Sequence, residues 1–261
     1  MRRIASRDNP LFRELLLLAT STRERKRQGA SLVEGIHLCQ AFVDRHGMPR
    51  QAVVADSAVV HPEVRALLER LPQPPVCLSD ALFGALSAVE HGVGLAFVVE
   101  TPRPVLPDRL DTDCVYLDGL QDPGNVGTIL RTCAAAGVQR VLTAPGTAWC
   151  WSPKVLRAGM GAHFHLDLHE AVPWEDFAAR LAVPVFGATA DGAEPLYAVD
   201  LRPSCAWVFG REGEGLSARV LDAVRLRVAI PQAPAVESLN VGVAAAICLY
   251  EQLRQRRYVQ A

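Results

Sequence analysis

Three short stretches of this chain place polar side chains at the ends of apolar runs. In Glu237-Ser238-Leu239-Asn240-Val241, two small hydrogen-bonding residues stand at the mouth of an apolar segment that reads as a fully buried helix. The first turn of a helix has unpaired N–H groups, and a Ser or Asn side chain caps them by accepting from them. One cap suffices, so the second polar residue faces something else. From Asn125 onward, helical spacing puts Val126, Ile129, Leu130, Cys133, Ala134 and Gly137 on one arc. Asn125, Thr128, Arg131, Thr132 and Ala135 fall on the other, presenting an amide, two hydroxyls and a guanidinium. An ordinary solvent-facing helix start would look similar. Gly124 and Gly127 tip the reading, since glycine weakens a helix unless close approach or special geometry is needed. The third stretch, Gly210-Arg211-Glu212-Gly213-Glu214-Gly215, lies between an apolar run and a helical one, as a nucleotide loop would. Its spacing is G-x-x-G-x-G rather than the dinucleotide pattern G-x-G-x-x-G, and no G-K-[ST] follows. Its two acids repel a pyrophosphate and suit a ligand that is neutral or cationic at the contact, as a sulfonium is.

The elements that must position these residues form an α/β pattern. Apolar runs at Cys114–Leu117, Arg140–Thr143, Phe164–Leu166, Val183–Ala188, Cys205–Phe209 and Leu226–Ile230 alternate with helical segments, which predicts a parallel sheet covered on both faces. Ligands of such sheets sit at the carboxyl ends of strands, where strand order reverses. The loops to inspect therefore follow Leu117, Ala188, Phe209 and Ile230. Pro231 and Pro234 stiffen the last of them and leave its carbonyls and remaining amides to a ligand. Upstream, Thr101–Asp108 carries three prolines and reads as a linker. It divides a small α/β module at 1–104 from a larger domain at 105–261. Within the module, strands are expected at Ala30–Glu34, Gln51–Ala55 and Gly94–Glu100, with helices over 9–20, 36–45, 61–70 and 79–88.

The 261 residues carry a net charge of −1, so the molecule is no polycation. The charge is uneven, however: residues 1–30 hold eight basic and three acidic side chains, a net of +5, and Arg254, Arg256 and Arg257 lie near the C-terminus. Basic ends on a neutral body suit a polyanion, although a solvated, disordered-leaning terminus would have the same composition. Seven cysteines without a C-x-x-C pair argue for a reducing compartment and against a disulfide framework or a zinc site. His163, His165 and His169 fall on an expected strand with no accompanying ligand cluster, so no metal is expected. No signal-peptide layout or long apolar run is present, and a cytoplasmic protein without membrane association is expected.

Taken in order, the segments Leu117–Cys133, Phe209–Leu216 and Ile230–Val241 resemble the three motifs of the SpoU/TrmH family of SPOUT methyltransferases. The likeness covers residues from about 112 to 255 and extends to Ser152–Ala162 between the first two motifs. The N-terminal module resembles, more loosely, the ribosomal-protein-like substrate-binding domain of many members, through Phe12, Val33-Glu34-Gly35 and the basic stretch 23–27. The resemblance implies RNA ribose 2′-O-methylation with S-adenosylmethionine as cofactor. Ribosomal RNA is favoured as substrate by the N-terminal module, with transfer RNA as the alternative. It also implies a homodimer whose active sites are completed by the partner subunit. Its fold departs from the rule that chains do not thread through loops. A deep trefoil knot is expected from the loops after Phe209 and Ile230 and the helix beginning at Ser238.

By the same resemblance, Asn125, Arg131, Glu212, Ser238 and Asn240 are the catalytic positions, and Thr189, Gly210, Ile230 and Leu239 contact the cofactor. The family assigns Arg131 as the base, yet a guanidinium holds its proton up to roughly pH 12. Either the site disfavours that charge, or Arg131 holds phosphate or ribose while proton loss is assisted elsewhere. Ser238 and Asn240 then orient Arg131 and the ribose, and Glu212 shapes its loop or a dimer contact. Gln232 stands where the family carries Met, Pro234 where it carries Gly, and Gly242 where it carries a second Ser. A catalytically silent RNA-binding or ribosome-assembly factor on the same fold is the competing reading, and the intact Arg131, Ser238 and Asn240 weigh against it. The glycine spacing weighs against a nicotinamide-dependent enzyme.

Overall fold

The computed structural model describes residues 2–89, 92–190, 194–235 and 237–257, so Val236 of the third motif lies outside the described residues. The chain forms two compact units, Met1–Pro102 with Trp151–Phe164, and Arg103–Cys150 with His165–Ala261.

The first unit contains β1 (Arg2–Ile4), α1 (Pro10–Thr20), α2 (Thr22–Gln28), β2 (Ala30–Glu34), α3 (Ile36–His46), β3 (Gln51–Ala55), α4 (Pro62–Glu69), β4 (Val76–Leu78), α5 (Asp80–Leu86) and β5 (Leu95–Glu100). Its sheet runs β1-β4-β3-β5-β2, with β5 antiparallel to both of its neighbours. The basic N-terminal stretch is folded. Asn9 caps α1, Pro10 occupies its first position, and Phe12, Leu15 and Leu18 are buried. Arg25 is not part of a solvated basic face. Its guanidinium is buried, donating to the carbonyls of Leu18 (2.6 Å) and Ala19 (3.0 Å) at the end of α1 and to the Thr22 hydroxyl. Those carbonyls have no helical partner of their own.

The second unit begins with β6 (Cys114–Asp118), α6 (Pro123–Ala136) and β7 (Arg140–Thr143). The chain then supplies α7 (Pro153–Gly159) to the first unit, where α7 packs on β2 and Phe164 meets the Phe42 ring edge-on at 5.6 Å. It continues in the second unit with β8 (Asp167–His169), α8 (Trp174–Ala178), β9 (Val185–Ala188), β10 (Glu194–Pro195), β11 (Ala206–Gly210), α9 (Ala218–Leu221), β12 (Leu226–Ala229) and α10 (Val241–Arg257). The sheet order is β10-β12-β9-β11-β6-β7-β8, and every pairing in it is parallel. β6, β7 and β8 step outward on one side, after which the chain returns to β9 on the other. Strand order therefore reverses at β6 and β11. Tyr116, Val208, Leu142, Phe177 and Trp174 are among the buried residues of its core.

Three expectations need correction. The strand placed at Phe164–Leu166 lies at Asp167–His169, and Ala162–His165 is a 3-10 turn, so the histidines do not alternate along one strand. Gly137 is not on the packed arc of α6. It is exposed and ends the helix in a left-handed conformation (φ 82°), which glycine adopts freely. α10 is not buried all round: Gly242, Ala245, Cys248 and Leu249 face inward, while Val243 and Tyr250 are about half exposed. Among the described residues no helix is long and apolar enough to cross a membrane, and no group of three or more His, Cys, Asp or Glu could hold a metal ion.

Candidate active site

Because all seven strands are parallel, the loops after β6, β9, β11 and β12 leave the same edge of the sheet from four adjacent strands. Asp118 pairs with Gly210 in the last rung between β6 and β11, so the loops of the first two motifs start side by side. Polar contacts then hold them together. The buried carboxylate of Asp118 accepts from the Ser217 N–H at 2.8 Å, and Arg211 Nε donates to the Gly119 carbonyl at 3.3 Å. Within the second loop, Arg211 and Gly215 exchange backbone hydrogen bonds at 2.9 Å each way, and Gly213 (φ 81°) and Gly215 (φ 72°) make the turn. A Cβ on Gly210 would lie 2.2 Å from the Gly215 carbonyl carbon, so no other residue fits there.

A line of side chains joins all three motifs. Glu212 Oε2 accepts from the Gln121 N–H at 3.3 Å, and Glu212 Oε1 accepts from Asn125 Nδ2 at 2.9 Å. Asn125 Oδ1 accepts from Asn240 Nδ2 at 2.9 Å. Asn240 Oδ1 then accepts from the N–H groups of Gly242 (2.9 Å) and Val243 (3.3 Å), which makes Asn240 the cap of α10. The order follows from charge. A carboxylate only accepts, so it turns the Asn125 NH₂ toward itself, and that places each later oxygen. Partial desolvation pushes the Glu212 carboxyl up. Hydrogen bonds from the Asn125 amide and from the backbone N–H groups of Glu212, Gln121 and Asp122 outweigh it, holding the group below its ordinary value of 4.5. At neutral pH Glu212 is therefore an anion suited to holding an amide and poorly suited to taking a proton.

The remaining predicted residues divide. Ser238 is exposed and does not cap α10, which starts three residues later at Val241. Arg131 is exposed, makes no hydrogen bond or ion pair among the described residues, and stands about 9 Å along α6 from Asn125. It is not joined to the Glu212–Asn125–Asn240 line. The Thr189 N–H donates to the Val228 carbonyl at 3.0 Å, which seats the end of β9 beside β12. Ile230 and Leu239 are half-buried in the loop that runs to α10.

The polar arc of α6 is not wholly open to a ligand. Thr132 donates its hydroxyl to the Thr128 carbonyl at 2.9 Å, and α10 packs on α6 with Gly242 against Thr128. A Cβ on Gly242 would come within 3.1 Å of Asn240 Oδ1 and 3.2 Å of Thr128 Cγ2, so any side chain here would have to move these neighbours slightly apart.

Three residues escaped the sequence reading. Asp118 carried a signal, being an acid that closes an apolar strand. Arg211 lay inside a recognised motif whose acids drew the attention. Gln232, in the loop after β12, has its Oε1 buried without a hydrogen-bond partner among the described residues, which no sequence pattern reveals.

Residues 113–250 match the model of the SpoU rRNA Methylase family. Among characterised proteins, the chain is 30% identical to the 23S rRNA (guanosine(2553)-2′-O)-methyltransferase RlmP of Bacillus subtilis, over 96% of this chain and 98% of that one. A solved RNA 2′-O ribose methyltransferase superposes with a TM-score of 0.82 at 32% identity, covering 97% of this chain and 99% of the other. The SpoU methyltransferase AviRb from Streptomyces viridochromogenes, solved with its cofactor AdoMet, superposes with a TM-score of 0.86 at 26% identity, covering 97% and 100%.

Proposed function

Because the chain belongs to the SpoU rRNA methylase family, we propose that it transfers a methyl group from S-adenosylmethionine to a ribose 2′-hydroxyl in ribosomal RNA. The observation that carries this reading is the hydrogen-bonded line Glu212–Asn125–Asn240, which ties the three motif loops together at the switch point of the sheet. The residues present suit the cofactor. Gln232 offers a buried acceptor, and Gly210, without a side chain, lets the loop of the second motif fold back against the end of β11. Thr189, Gly210, Ile230 and Leu239 border the cofactor in this reading, with Asp118 and Arg211 fixing the shape of the loop. When bound, the cofactor supplies an electrophilic methyl group on a sulfonium.

The protein's own share is positioning and electrostatics. Asn125 and Asn240, held rigid by Glu212, orient the ribose, and the exposed Ser238 hydroxyl is placed to join them. Arg131 serves as a fixed cation toward the ribose or its phosphate, as a guanidinium does at neutral pH. Its separation from the Asn125 line supports a site in which a second subunit provides it. α10 offers the surface for that subunit: Val243, Ala246, Ile247 and Tyr250 recur at i, i+3, i+4 and i+7, and Val243 and Tyr250 are 48% and 50% exposed. In this homodimer, the loops after β11 and β12 and α10 form the trefoil knot of the family. The first unit serves as the substrate-binding module. Arg13, Arg27 and Arg50 line a groove on it, and each is paired with an acid in an exposed contact that phosphate can replace.

The test is to compare 2′-O-methyl nucleosides, by mass spectrometry, in ribosomal and transfer RNA from cells with and without the gene. Loss of one ribosomal RNA 2′-O-methylation is expected. Loss confined to transfer RNA would refute the substrate assignment, and an unchanged profile would restore the silent RNA-binding reading.

A further inference from the structure

Gln232 lies in the loop that joins β12 to α10, two residues beyond Ile230. Its amide oxygen is removed from solvent and accepts from nothing among the described residues. Buried polar groups in folded proteins are nearly always paired, because an unpaired one loses its hydration without compensation. An acceptor left bare in a loop assigned to the cofactor indicates a donor carried by that cofactor.

S-adenosylmethionine carries three kinds of donor: an ammonium, ribose hydroxyls and the exocyclic amino group of adenine. The ammonium is a poor match for a dry neutral oxygen, because a buried cation needs an opposite charge. The only acid in the described part of residues 230–241 is Glu237, which is exposed. A hydroxyl both donates and accepts, so it makes no particular demand for an amide. Adenine does make one. A Gln side chain presents C=O and NH₂ in one plane, which complements the amino donor and adjacent ring-nitrogen acceptor along an adenine edge.

We propose that the Gln232 side-chain amide reads the adenine edge of the cofactor, with Oε1 accepting from the exocyclic amino group. The assignment rests on the methyltransferase reading above and adds to it a specificity residue particular to this chain. The resemblance puts methionine at this position, and a thioether is only a weak acceptor. Selection of adenine by a side chain is thus an addition to whatever the backbone of the loop provides.

The test is calorimetric binding of S-adenosylhomocysteine and of its purine-riboside analogue, in which hydrogen replaces the 6-amino group, to the wild-type protein, Gln232→Met and Gln232→Glu. Wild type is expected to prefer the adenosyl compound by about tenfold or more, because the analogue leaves the Gln232 oxygen without its donor. Gln232→Met should bind the two compounds within about threefold of each other, and Gln232→Glu, which keeps an acceptor, should retain the preference. The ligand-free Gln232→Met protein should melt no lower than wild type, since the substitution removes an unpaired oxygen rather than a contact. An unchanged preference in Gln232→Met overturns this assignment and leaves the methyltransferase reading intact. Failure of the wild type to bind either compound overturns both.

Discussion

A carboxylate accepts hydrogen bonds and never donates them, so Glu212 sets the direction of every contact after it, through Asn125 to Asn240. Glu212→Gln keeps the size of the side chain but leaves one acceptor for two donors, the Asn125 amide and the Gln121 N–H, so one of the two contacts is lost. Misplacement on the order of 1 Å at a reacting centre costs about a hundredfold in rate. Glu212→Gln should therefore lose about that much activity in a methyl-transfer assay, with little change in melting temperature. Arg131→Lys checks a different role. The charge is kept and the planar fork is lost, so activity should fall by about a hundredfold or more if the fork holds ribose or phosphate. Near-full activity would remove any need for the guanidinium. The residue types of the site were legible because three motifs announce them. Their division of labour was not. Whether Ser238 or Asn240 caps α10 turns on where the helix begins, and backbone geometry decides that.

At the level of elements, Asn240 caps a helix and also joins it to α6, and the two duties separate by substitution. Asn240→Asp keeps an oxygen for the Gly242 and Val243 N–H groups but loses the donor to Asn125. Asn240→Ala loses both. Thermal melting should show Asn240→Ala less stable by about 1 kcal/mol and Asn240→Asp near wild type, while methyl transfer is impaired in both. Equal stability of the two variants would mean that the cap contributes nothing. A long, strongly patterned element such as α6 could be read from sequence because burial imposes its period. The three-residue strands β1 and β4 could not, since so short a run has no period to detect. The passage of Trp151–Phe164 into the first unit was hidden for another reason: its apolar residues look like any core segment, and only the tertiary contacts show which core they complete.

For the molecule as a whole, acid sensitivity and assembly are the accessible properties. His169 is buried in β8, and burial first, then Arg140, push its pKa below the ordinary 6.5. The folded protein holds the imidazole neutral, whereas the unfolded chain protonates it near 6.5. This stabilisation is complete above that pH and is lost as pH falls through 6.5 toward the folded value. The melting temperature should drop between pH 7.5 and 5.5, and less so in His169→Gln. The paired substitutions Val243→Glu and Tyr250→Glu should yield monomers by sedimentation and abolish methyl transfer, if α10 is the subunit contact that brings Arg131 to its site. The fold class and the parallel sheet were legible in the alternation of runs. The exposed stripe on α10 was not, because its residues are apolar on both faces. In the proposed function, the Glu212–Asn125–Asn240 line organises a ribose methylation site. This role is tested most directly by incubating purified protein with ribosomal RNA and S-adenosylmethionine, then digesting to nucleosides for mass spectrometry. A 2′-O-methyl nucleoside is expected with wild type, and about a hundredfold less with Asn125→Ala. A methyl group on a base, or undiminished transfer by Asn125→Ala, would contradict it.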